Sequence, residues 1–484
     1  MRLLRPLVRF LLLVAVLWPG LAAAQADAVR VRLFGTSPPD AVTVTGAGTV
    51  TVDGVRVGTT APGAVSRVER DGTRVRVSGG GVEAEGQTVE VAPGSAEATL
   101  HVVGGRQTVD VRGTVTGTAA GEGLTVVNRV PLPDYVSSVV ASEYGFPEIE
   151  GVKAQAILAR TYAIRQAAGR TGRAYDVDDH QGSQVYRGAG VETPTSRRAE
   201  RETRGQILTY AGQPAEALYS SSSGGHTADN ETVWGTPPVP YLRGVVDPYD
   251  ADAPDHTWRT TADAARVHGV LSRRYGGTVT GIEVAERSRE GRAVRVRLLG
   301  TNGTVVSGSD FRTVVNGTLG WRTVRSTLFT LSVDGGGQYV FSGGGFGHGV
   351  GMSQYGARGQ ARAGRSYLDI LAFYFAGTQV VGGDAPATPP GLLASERAGG
   401  VPRPPTASPS APRPRPTSSP ASAPSAARPP TAAPPSAPGS RGEAIVLRPA
   451  PTVRAARPPG AYAPTSAPSA RPPASGTRTA RSGW

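Results

Sequence analysis

The alternation of β-branched and polar residues over positions 28–128 constrains the fold of this chain more than any other feature. Short alternating runs are separated by glycine-rich turns, which is typical of antiparallel strands with one face in the core. The clearest runs are Val42–Val44, Thr49–Val52, Arg74–Val77, Thr88–Val91 and Thr108–Val111. The sequence therefore predicts a β-rich N-terminal part over residues 25–127.

Helical periodicity begins only after these strands. Helices are predicted at 132–143, 147–168, 260–275 and 352–375, and further strands at 205–220, 281–299 and 325–342. Runs of strands with helices grouped between them indicate an α+β fold rather than a doubly wound sheet. We expect a helical segment followed by a mixed α/β remainder over residues 128–382.

The two ends of the chain carry its charge. The formal net charge is +13, all of it in residues 1–24 and 401–484, so the middle is neutral. Residues 1–24 join three arginines to the apolar run Phe10–Trp18 and an A-x-A site, which predicts a signal peptide and export to the periplasm, cell envelope or medium. Residues 383–484 hold 25 of the 41 prolines and predict a disordered tail rich in Pro, Ala, Ser and Arg.

Composition excludes several classes of function. The chain has no cysteine, which rules out disulfides, thiolate metal sites, cysteine nucleophiles and lipoprotein anchoring. The basic tail offers only Tyr462 and Trp484 for stacking on bases, so we expect no nucleic-acid partner. The tail is expected to be a solvated spacer or a weak attachment to anionic envelope polymers or lipid.

The first predicted helix carries a candidate acid. Its apolar residues recur at helical spacing, and the stripe comprises Leu132, Tyr135, Val136, Val139 and Val140. Glu143 continues this stripe at the end of the helix, and Gly145 is placed to end it. Partial burial and the negative end of the helix dipole would both raise the pKa of its carboxyl group, as a general acid requires. A surface glutamate at a frayed helix end fits the pattern equally well.

The second predicted helix carries two cations on one face. Lys153 and Arg160 lie two helical turns apart, and Lys153 is the only lysine of the sequence. A cation beside Glu143 would oppose a rise of its pKa. We therefore expect Lys153 to pair with the substrate or with another acid.

Two downstream segments hold the remaining polar candidates. Tyr219–Thr227 places four serines before a Gly-Gly turn and a histidine, and predicts either a sugar-binding edge of hydroxyls or a structural turn. Gly343–Gly351 has glycine at six of nine positions, which allows a ligand to approach the backbone closely but matches neither a P-loop nor a Rossmann motif. Trp234 is a candidate surface for stacking of sugar rings or a packing residue. The acids at Asp247, Asp250, Asp252 and Asp255 lack the calcium-loop pattern and predict a solvated loop.

Four blocks of sequence, in order, resemble the stage II sporulation protein D (SpoIID)/LytB amidase-enhancer family over roughly residues 28–382. The blocks comprise Leu132–Glu143 with Lys153–Ala163, Gln184–Gly188, Tyr219–Thr227 with Trp234–Leu242, and Gly347–Ala357. The resemblance implies a role in the cell wall and makes Glu143 the catalytic residue of a lytic transglycosylase. The resemblance implies that such an enzyme cuts peptide-stripped glycan strands between N-acetylmuramic acid and N-acetylglucosamine. The cut leaves 1,6-anhydro ends and needs no second catalytic carboxylate.

The same resemblance leaves a second activity open, because LytB-type members enhance a separate N-acetylmuramoyl-L-alanine amidase. Some relatives place a cysteine near a histidine where zinc binds, but the segment around His180 has no cysteine. We therefore expect no metal or cofactor. The expected partner is the peptidoglycan strand, joined by a cell-wall amidase under the enhancer alternative. The expected substrate-binding residues are Lys153, Gln155, Arg160, Tyr219, Ser220, Ser222, His226, Trp234, His348, Gln354 and Tyr355.

Overall fold

The computed structural model describes residues 27–121 and 123–383 of the chain. These residues belong to one compact unit. The predicted signal peptide and, apart from Gly383, the predicted tail lie outside the described residues. Over the described residues no helix combines the length and apolar character needed to cross a membrane.

Twelve strands precede the first helix, in agreement with the predicted β-rich part. They are β1 (Ala28–Leu33), β2 (Ala41–Thr45), β3 (Gly48–Val52), β4 (Val55–Thr60), β5 (Val65–Asp71), β6 (Arg74–Gly79), β7 (Val82–Gly86), β8 (Thr88–Pro93), β9 (Leu100–Gly104), β10 (Gln107–Val111), β11 (Thr114–Ala120) and β12 (Gly123–Pro131). All five alternating runs singled out in the sequence lie in these strands, so that prediction is confirmed.

The strands form two sheets whose inner faces share one core. One sheet has the order β10-β9-β2-β5-β6-β7; the other has the order β1-β12-β11-β8-β3-β4 and is extended beside β1 by β13 (Val177–Asp178). Burial alternates along each strand because successive side chains point to opposite faces. Gly117 in β11 lies where the sheets approach closely: a Cβ atom there would be 2.9 Å from the Val68 side chain of β5. The two layers therefore pack as a β-sandwich.

Three helices pack together, and two of them contact strands β1, β12 and β13 of the sandwich. They are α1 (Leu132–Glu143), which follows β12 directly, α2 (Ile149–Gly169) and α3 (Pro194–Glu202). The predicted apolar stripe of α1 is buried, and Pro133 lies in the first turn. Gly145 does not have the left-handed conformation expected of it: α1 ends at Glu143, and the Tyr144 N–H bonds back to Val140. The helix therefore ends without a glycine cap.

The rest of the described chain consists of short strands and small helices. They are β14 (Ile207–Tyr210), β15 (Gln213–Pro214), β16 (Tyr219–Ser220), α4 (Asn230–Trp234), β17 (Trp258–Asp263), α5 (Ala264–Tyr275), β18 (Gly281–Arg287), β19 (Ala293–Leu299), β20 (Val305–Ser307), α6 (Gly308–Leu319), β21 (Phe329–Val333), β22 (Gln338–Gly343), β23 (Met352–Ser353), α7 (Gln354–Arg362), α8 (Tyr367–Tyr374) and β24 (Gln379–Val381). Ala189–Val191 and Pro248–Asp250 form single turns of 3₁₀-helix. This mixture confirms the α+β class.

Two hydrophobic cores organise the described residues. The larger extends from Val29 to Val380 and joins the sandwich to α1, α2, α7 and α8. The smaller lies between Trp258 and Phe341 and is built from β17–β19, β21, β22, α5 and α6. The expected boundary at 127/128 falls inside β12, and the larger core continues on both sides of it. The smaller core is a separate packing unit inserted before the glycine-rich segment.

Asn128 of β12 connects the sandwich to the segment that follows α2. Its side-chain amide donates to the backbone oxygens of Arg112 and Thr114, and its oxygen accepts a 2.9 Å hydrogen bond from the Tyr186 hydroxyl. Asn128 is fully buried, so no water replaces these partners.

Asn128→Ala should lower the free energy of unfolding by about 3 kcal/mol, because a buried polar group left without its partner costs about 1–3 kcal/mol. Urea denaturation followed by circular dichroism measures this change. The matched control is Asn302→Ala, at an exposed loop position, which should change the value by less than about 0.5 kcal/mol. Equal effects of the two substitutions would contradict the assigned role of Asn128.

Candidate active site

Two segments that are distant in sequence meet beside α1. Strand β16 pairs in parallel with β23, which matches Tyr219 to Met352 and Ser220 to Ser353. Two bridges, Ser222 to Phe346 and Ala228 to Val350, continue the contact between the serine segment and the glycine-rich segment. The fold therefore brings together the downstream blocks that the sequence singled out.

Buried aspartates behind these segments hold them in place. The Asp250 carboxylate accepts hydrogen bonds from the Ser222 hydroxyl (2.7 Å), the Ser353 hydroxyl (2.6 Å) and the Ser223 and Gly224 amides. Asp247 accepts from the hydroxyls of Ser223 and Tyr374. Both aspartates are completely buried. The predicted solvated loop is thus wrong for Asp247 and Asp250, whose hydroxyl and amide donors replace water.

Glu143 is the last residue of α1 and is partly buried. Its Oε1 atom accepts a 2.7 Å hydrogen bond from the Val185 N–H, and its carboxylate also bonds to the Tyr219 hydroxyl. Burial raises the pKa of Glu143, although these two hydrogen bonds and the Arg187 guanidinium oppose the rise. The pKa of Glu143 is thus raised, as expected from the sequence, so its carboxyl group stays protonated closer to neutral pH.

A chain of hydrogen bonds sets the direction of the Tyr219 hydroxyl. The Tyr135 hydroxyl donates to Gln184 Oε1 (2.9 Å), and Gln184 Nε2 donates to the Tyr219 oxygen (3.1 Å). Because the Tyr219 oxygen already accepts from Gln184, its own proton is directed to Glu143. The residues Gln184 and Val185, which were not among the expected site residues, therefore orient the acid.

Gln354 connects the start of α7 to the end of α1. Its Nε2 atom donates to the backbone oxygen of Glu143 (3.0 Å) and to Gln155 Oε1 (3.4 Å). The last carbonyl groups of a helix lack partners within the helix, so Gln354 satisfies one of them. Gln155 is fully buried and Gln354 nearly so. Gln354 and Gln155 therefore support the backbone at the end of α1, and their buried amide groups are not accessible to a polymer.

The expected serine edge faces the protein. Ser220 is 8% exposed, and its hydroxyl accepts from the Gly349 amide; Ser222 is 1% exposed and bonds to Asp250. His226 Nδ1 contacts the Thr227 backbone oxygen at 2.6 Å. The hydroxyls of Ser220 and Ser222 are therefore structural, and a sugar-binding role for them is not supported.

The three aromatic candidates, Trp234, Tyr355 and His348, differ in their exposure to solvent. The Trp234 ring is 41% exposed and lies 5.3 Å from the His348 ring, while Tyr355 packs edge-on against Phe146. His348 accepts from the Val350 N–H and also bonds to the Tyr219 backbone. Burial and two nearby arginines lower the pKa of His348 to about 4, so its ring is neutral near pH 7. His348 therefore positions the glycine-rich segment against β16 without carrying a charge.

The contacts of the two cations of α2, Lys153 and Arg160, do not support a role in ligand binding. Lys153 forms ion pairs with Glu150 (2.9 Å) and Glu202 (2.7 Å), which fulfils the expected pairing with other acids. Arg160 is 2% exposed and donates to the backbone oxygen of Gln206 at 3.0 Å. The helix α3 and the turn after it cover this face of α2. Substrate contacts by Lys153 and Arg160 are therefore not supported.

Comparisons with known proteins match two parts of the chain to family profiles and identify several relatives. A family profile described as Stage II sporulation protein matches residues 120–210, and a domain of unknown function matches residues 255–351, close to the range of the smaller core. The chain is 34% identical to Stage II sporulation protein D of Bacillus subtilis over 77% of that protein and 54% of this chain. The corresponding protein of Bacillus amyloliquefaciens is 33% identical over 76% of its length and 54% of this chain. The Amidase enhancer of Bacillus subtilis is 31% identical over 38% of its length and 48% of this chain.

Asp247 should make the stability of the fold depend on pH. Burial and the neighbouring Asp250 raise the pKa of Asp247 to about 7. In the unfolded chain an aspartate loses its proton near pH 4, so between these values only the folded state retains the proton. Stability should therefore fall as pH rises from about 4 to 7, by at most about 1.4 kcal/mol per pH unit.

Asp247→Asn should flatten this dependence, as measured by urea denaturation at pH 5, 6 and 7. Asp252→Asn is the matched control, because the Asp252 side chain is 80% exposed, and it should keep the slope of the unmodified protein. The slope, rather than the absolute stability, is the test, since an amide has only one oxygen and cannot accept from both the two hydroxyls and the Tyr249 N–H, as the carboxylate does. An unchanged slope in Asp247→Asn would refute the raised pKa of Asp247 as the cause of the pH dependence.

Proposed function

Because the chain belongs to the stage II sporulation protein D family, we propose that it is an extracytoplasmic protein that cuts peptidoglycan glycan strands as a lytic transglycosylase. The observation that carries the proposal is the environment of Glu143. Its carboxyl group is held at the end of α1 between the Val185 N–H and the Tyr219 hydroxyl, with a raised pKa. A carboxyl group in that state can donate a proton to a glycosidic oxygen.

The reaction requires one carboxyl group in two roles. Glu143 donates its proton to the oxygen that bridges N-acetylmuramic acid and N-acetylglucosamine, and the bond from the muramic C1 atom to that oxygen breaks. The 6-hydroxyl of the same muramic residue then bonds to C1 and gives its proton to the Glu143 carboxylate. The acid is regenerated, no water is consumed, and the new end is a 1,6-anhydro ring.

The neighbours of Glu143 suit both halves of this cycle. The Val185 N–H and the Tyr219 hydroxyl stabilise the carboxylate that forms after the first proton transfer, as hydrogen bonds to a charged form do. Gln354 holds the end of α1 and thereby the position of the acid. Because the nucleophile belongs to the substrate, the second carboxylate of ordinary glycoside hydrolysis is not needed.

A second candidate function follows from the similarity to the Amidase enhancer. In that case the chain would bind the wall and stimulate a separate amidase without cutting glycan itself. The match covers little more than a third of the enhancer, and Glu143 with its partners would then have no chemical task. Addition of the purified chain to an amidase reaction distinguishes this activity from release of anhydro ends.

Glu143→Gln should lower the rate of release of anhydro-ended fragments from peptide-stripped strands by about a thousandfold, within the range that general acids contribute. Glutamine keeps an oxygen that accepts from Val185 but cannot transfer a proton. Fragments are separated by chromatography and identified by mass spectrometry. Glu83→Gln, at an exposed position of β7, is the matched control and should retain full activity. Equal rates for both variants would exclude Glu143 as the acid.

Tyr219→Phe should move the pH dependence of kcat/KM rather than abolish activity. The Tyr219 hydroxyl stabilises the charged form of Glu143, so its removal should raise the pKa of Glu143 further. The fall in kcat/KM at alkaline pH should then occur at higher pH. Tyr210→Phe in β14 serves as control and should leave the profile in place. A shift to lower pH in Tyr219→Phe would contradict the hydrogen bond as described.

A further inference from the structure

A fully buried arginine extends from the smaller packing unit to the segments beside Glu143. Arg292 is 1% exposed and comes directly before β19. The turn that joins β18 to β19 fixes its backbone: the Ser288 N–H donates to the Arg292 oxygen (2.9 Å), and the Arg292 N–H donates to the Ser288 hydroxyl (3.1 Å). The backbone of Arg292 therefore belongs to the smaller unit, whereas its side chain serves another part of the chain.

The Arg292 guanidinium binds the backbone of a turn in the serine segment, residues 223–226. One nitrogen, Nη2, donates to the backbone oxygens of Ser223 (3.0 Å) and His226 (2.9 Å). Between them, Gly224 and Gly225 have φ angles of 70° and 94°, a conformation that favours glycine. The two carbonyl groups of this turn therefore converge on one cationic group.

A buried carboxylate holds the same turn through its amide groups. Asp250 accepts hydrogen bonds from the Ser223 and Gly224 N–H groups, each at 3.0 Å. The turn is therefore clamped between an anion that binds its N–H groups and a cation, Arg292, that binds its C=O groups. Because both charges are buried, loss of one would leave the other without its compensating charge.

The same guanidinium lies against the glycine-rich segment. A Cβ atom at Gly349 would overlap Arg292 Nη2, so glycine is needed there for the arginine to fit. The Gly349 N–H in turn donates to the Ser220 hydroxyl (3.2 Å). Ser220 directly follows Tyr219, whose hydroxyl bonds to Glu143. Arg292 thus contacts both of the segments whose pairing holds Tyr219.

Burial of the Arg292 guanidinium is costly, so a contribution to stability does not explain it. Burial lowers the pKa of Arg292 to about 10, and its Nε and Nη1 atoms have no hydrogen-bond partner among the described residues. Well-packed apolar side chains often stabilise a protein as much as a buried charge pair, or more. The geometry that the guanidinium imposes on residues 223–226 explains the charge better.

We propose that Arg292 is a positioning residue of the active site, which fixes the turn 223–226 and the glycine-rich segment and thereby directs the Tyr219 hydroxyl to Glu143. This role needs no contact with a substrate, from which burial excludes Arg292. The smaller packing unit thus supports the acid from outside the core that contains α1. This inference rests on the proposed function, because it assigns to Arg292 an effect on the rate of cleavage.

Steady-state kinetics of the full chain on peptide-stripped strands separate positioning from substrate binding. Arg292→Gln should lower kcat about tenfold, within the roughly hundredfold loss that a misplacement of about 1 Å can cause, and should change KM by less than about twofold. Arg292→Lys keeps the charge on a shorter side chain and should lower kcat only about threefold. Arg289→Gln, at an exposed position of the same turn, is the matched control and should keep both constants.

The double variant Arg292→Gln/Tyr219→Phe tests whether the effect passes through Tyr219. If Arg292 directs the Tyr219 hydroxyl, its substitution should change kcat by less than about twofold once that hydroxyl is absent. A further tenfold loss in the double variant, or a loss that appears in KM rather than in kcat, would overturn the positioning role.

Hydrogen exchange of the full chain tests the clamp without a catalytic readout. In Arg292→Gln the amides of residues 219–228 should exchange about tenfold faster, whereas those of β17, β21 and β22 should keep their rates. Equal acceleration in both regions would indicate a general loss of stability and overturn the local role.

Failure of the proposed function has a different signature from failure of this inference. If the unmodified chain forms no anhydro ends, the proposed function fails, and the exchange of residues 219–228 still decides whether Arg292 holds the turn. Conversely, Glu143-dependent cleavage with an unchanged kcat in Arg292→Gln would refute only the positioning role of Arg292.

Discussion

The candidate active site depends on the buried carboxylate of Asp250. A charge removed from water is tolerated only when hydrogen bonds replace its hydration. Asp250 obtains them from the serine segment through Ser222, Ser223 and Gly224, and from the start of α7 through Ser353. One carboxylate therefore joins two segments that are more than a hundred residues apart. Tyr219 and Gln354, which both contact Glu143, belong to these joined segments.

This arrangement fixes the side chain of Glu143, the proposed acid, at the end of α1. The C-terminus of α1 would by itself leave Glu143 free to turn into solvent. The Val185 N–H and the Tyr219 hydroxyl hold the carboxyl group, and Gln354 holds the backbone behind it. Burial and the helix dipole favour the protonated form, whereas the two donors stabilise the charged form. In the proposed reaction Glu143 first gives and then takes a proton, and these opposing influences on its pKa suit the two steps.

The hydrophobic patterns of the sequence predicted the helices and strands whose periodicity is set by backbone geometry. Alternation identified the strands of the sandwich, and the apolar stripe identified α1 with Glu143 at its end, because both periodicities follow from backbone geometry. We expected a helix from residue 260, but the segment from Trp258 to Asp263 is a strand. It forms the antiparallel neighbour of β22, and both strands contribute to the smaller core. Periodicity within a segment does not reveal such a distant partner.

The same limit applies to the side chains. Spacing placed Lys153 and Arg160 on one face of α2, but only the fold shows that α3 and the residues after it cover that face. A run of acids is typical of a solvated loop, yet Asp247 and Asp250 are buried because donors from elsewhere in the chain surround them.

Digestion of peptide-stripped strands by the full chain in water labelled with heavy oxygen tests directly whether the chain is a lytic transglycosylase. Attack by the muramic 6-hydroxyl consumes no water, so we expect new muramic ends that lack the label and are lighter than hydrolysed ends by one water molecule. Label at the new ends would show that water is the nucleophile. Uncut strands, together with faster release of stem peptides from intact peptidoglycan when an amidase is added, would contradict the transglycosylase reaction and identify the chain as an enhancer.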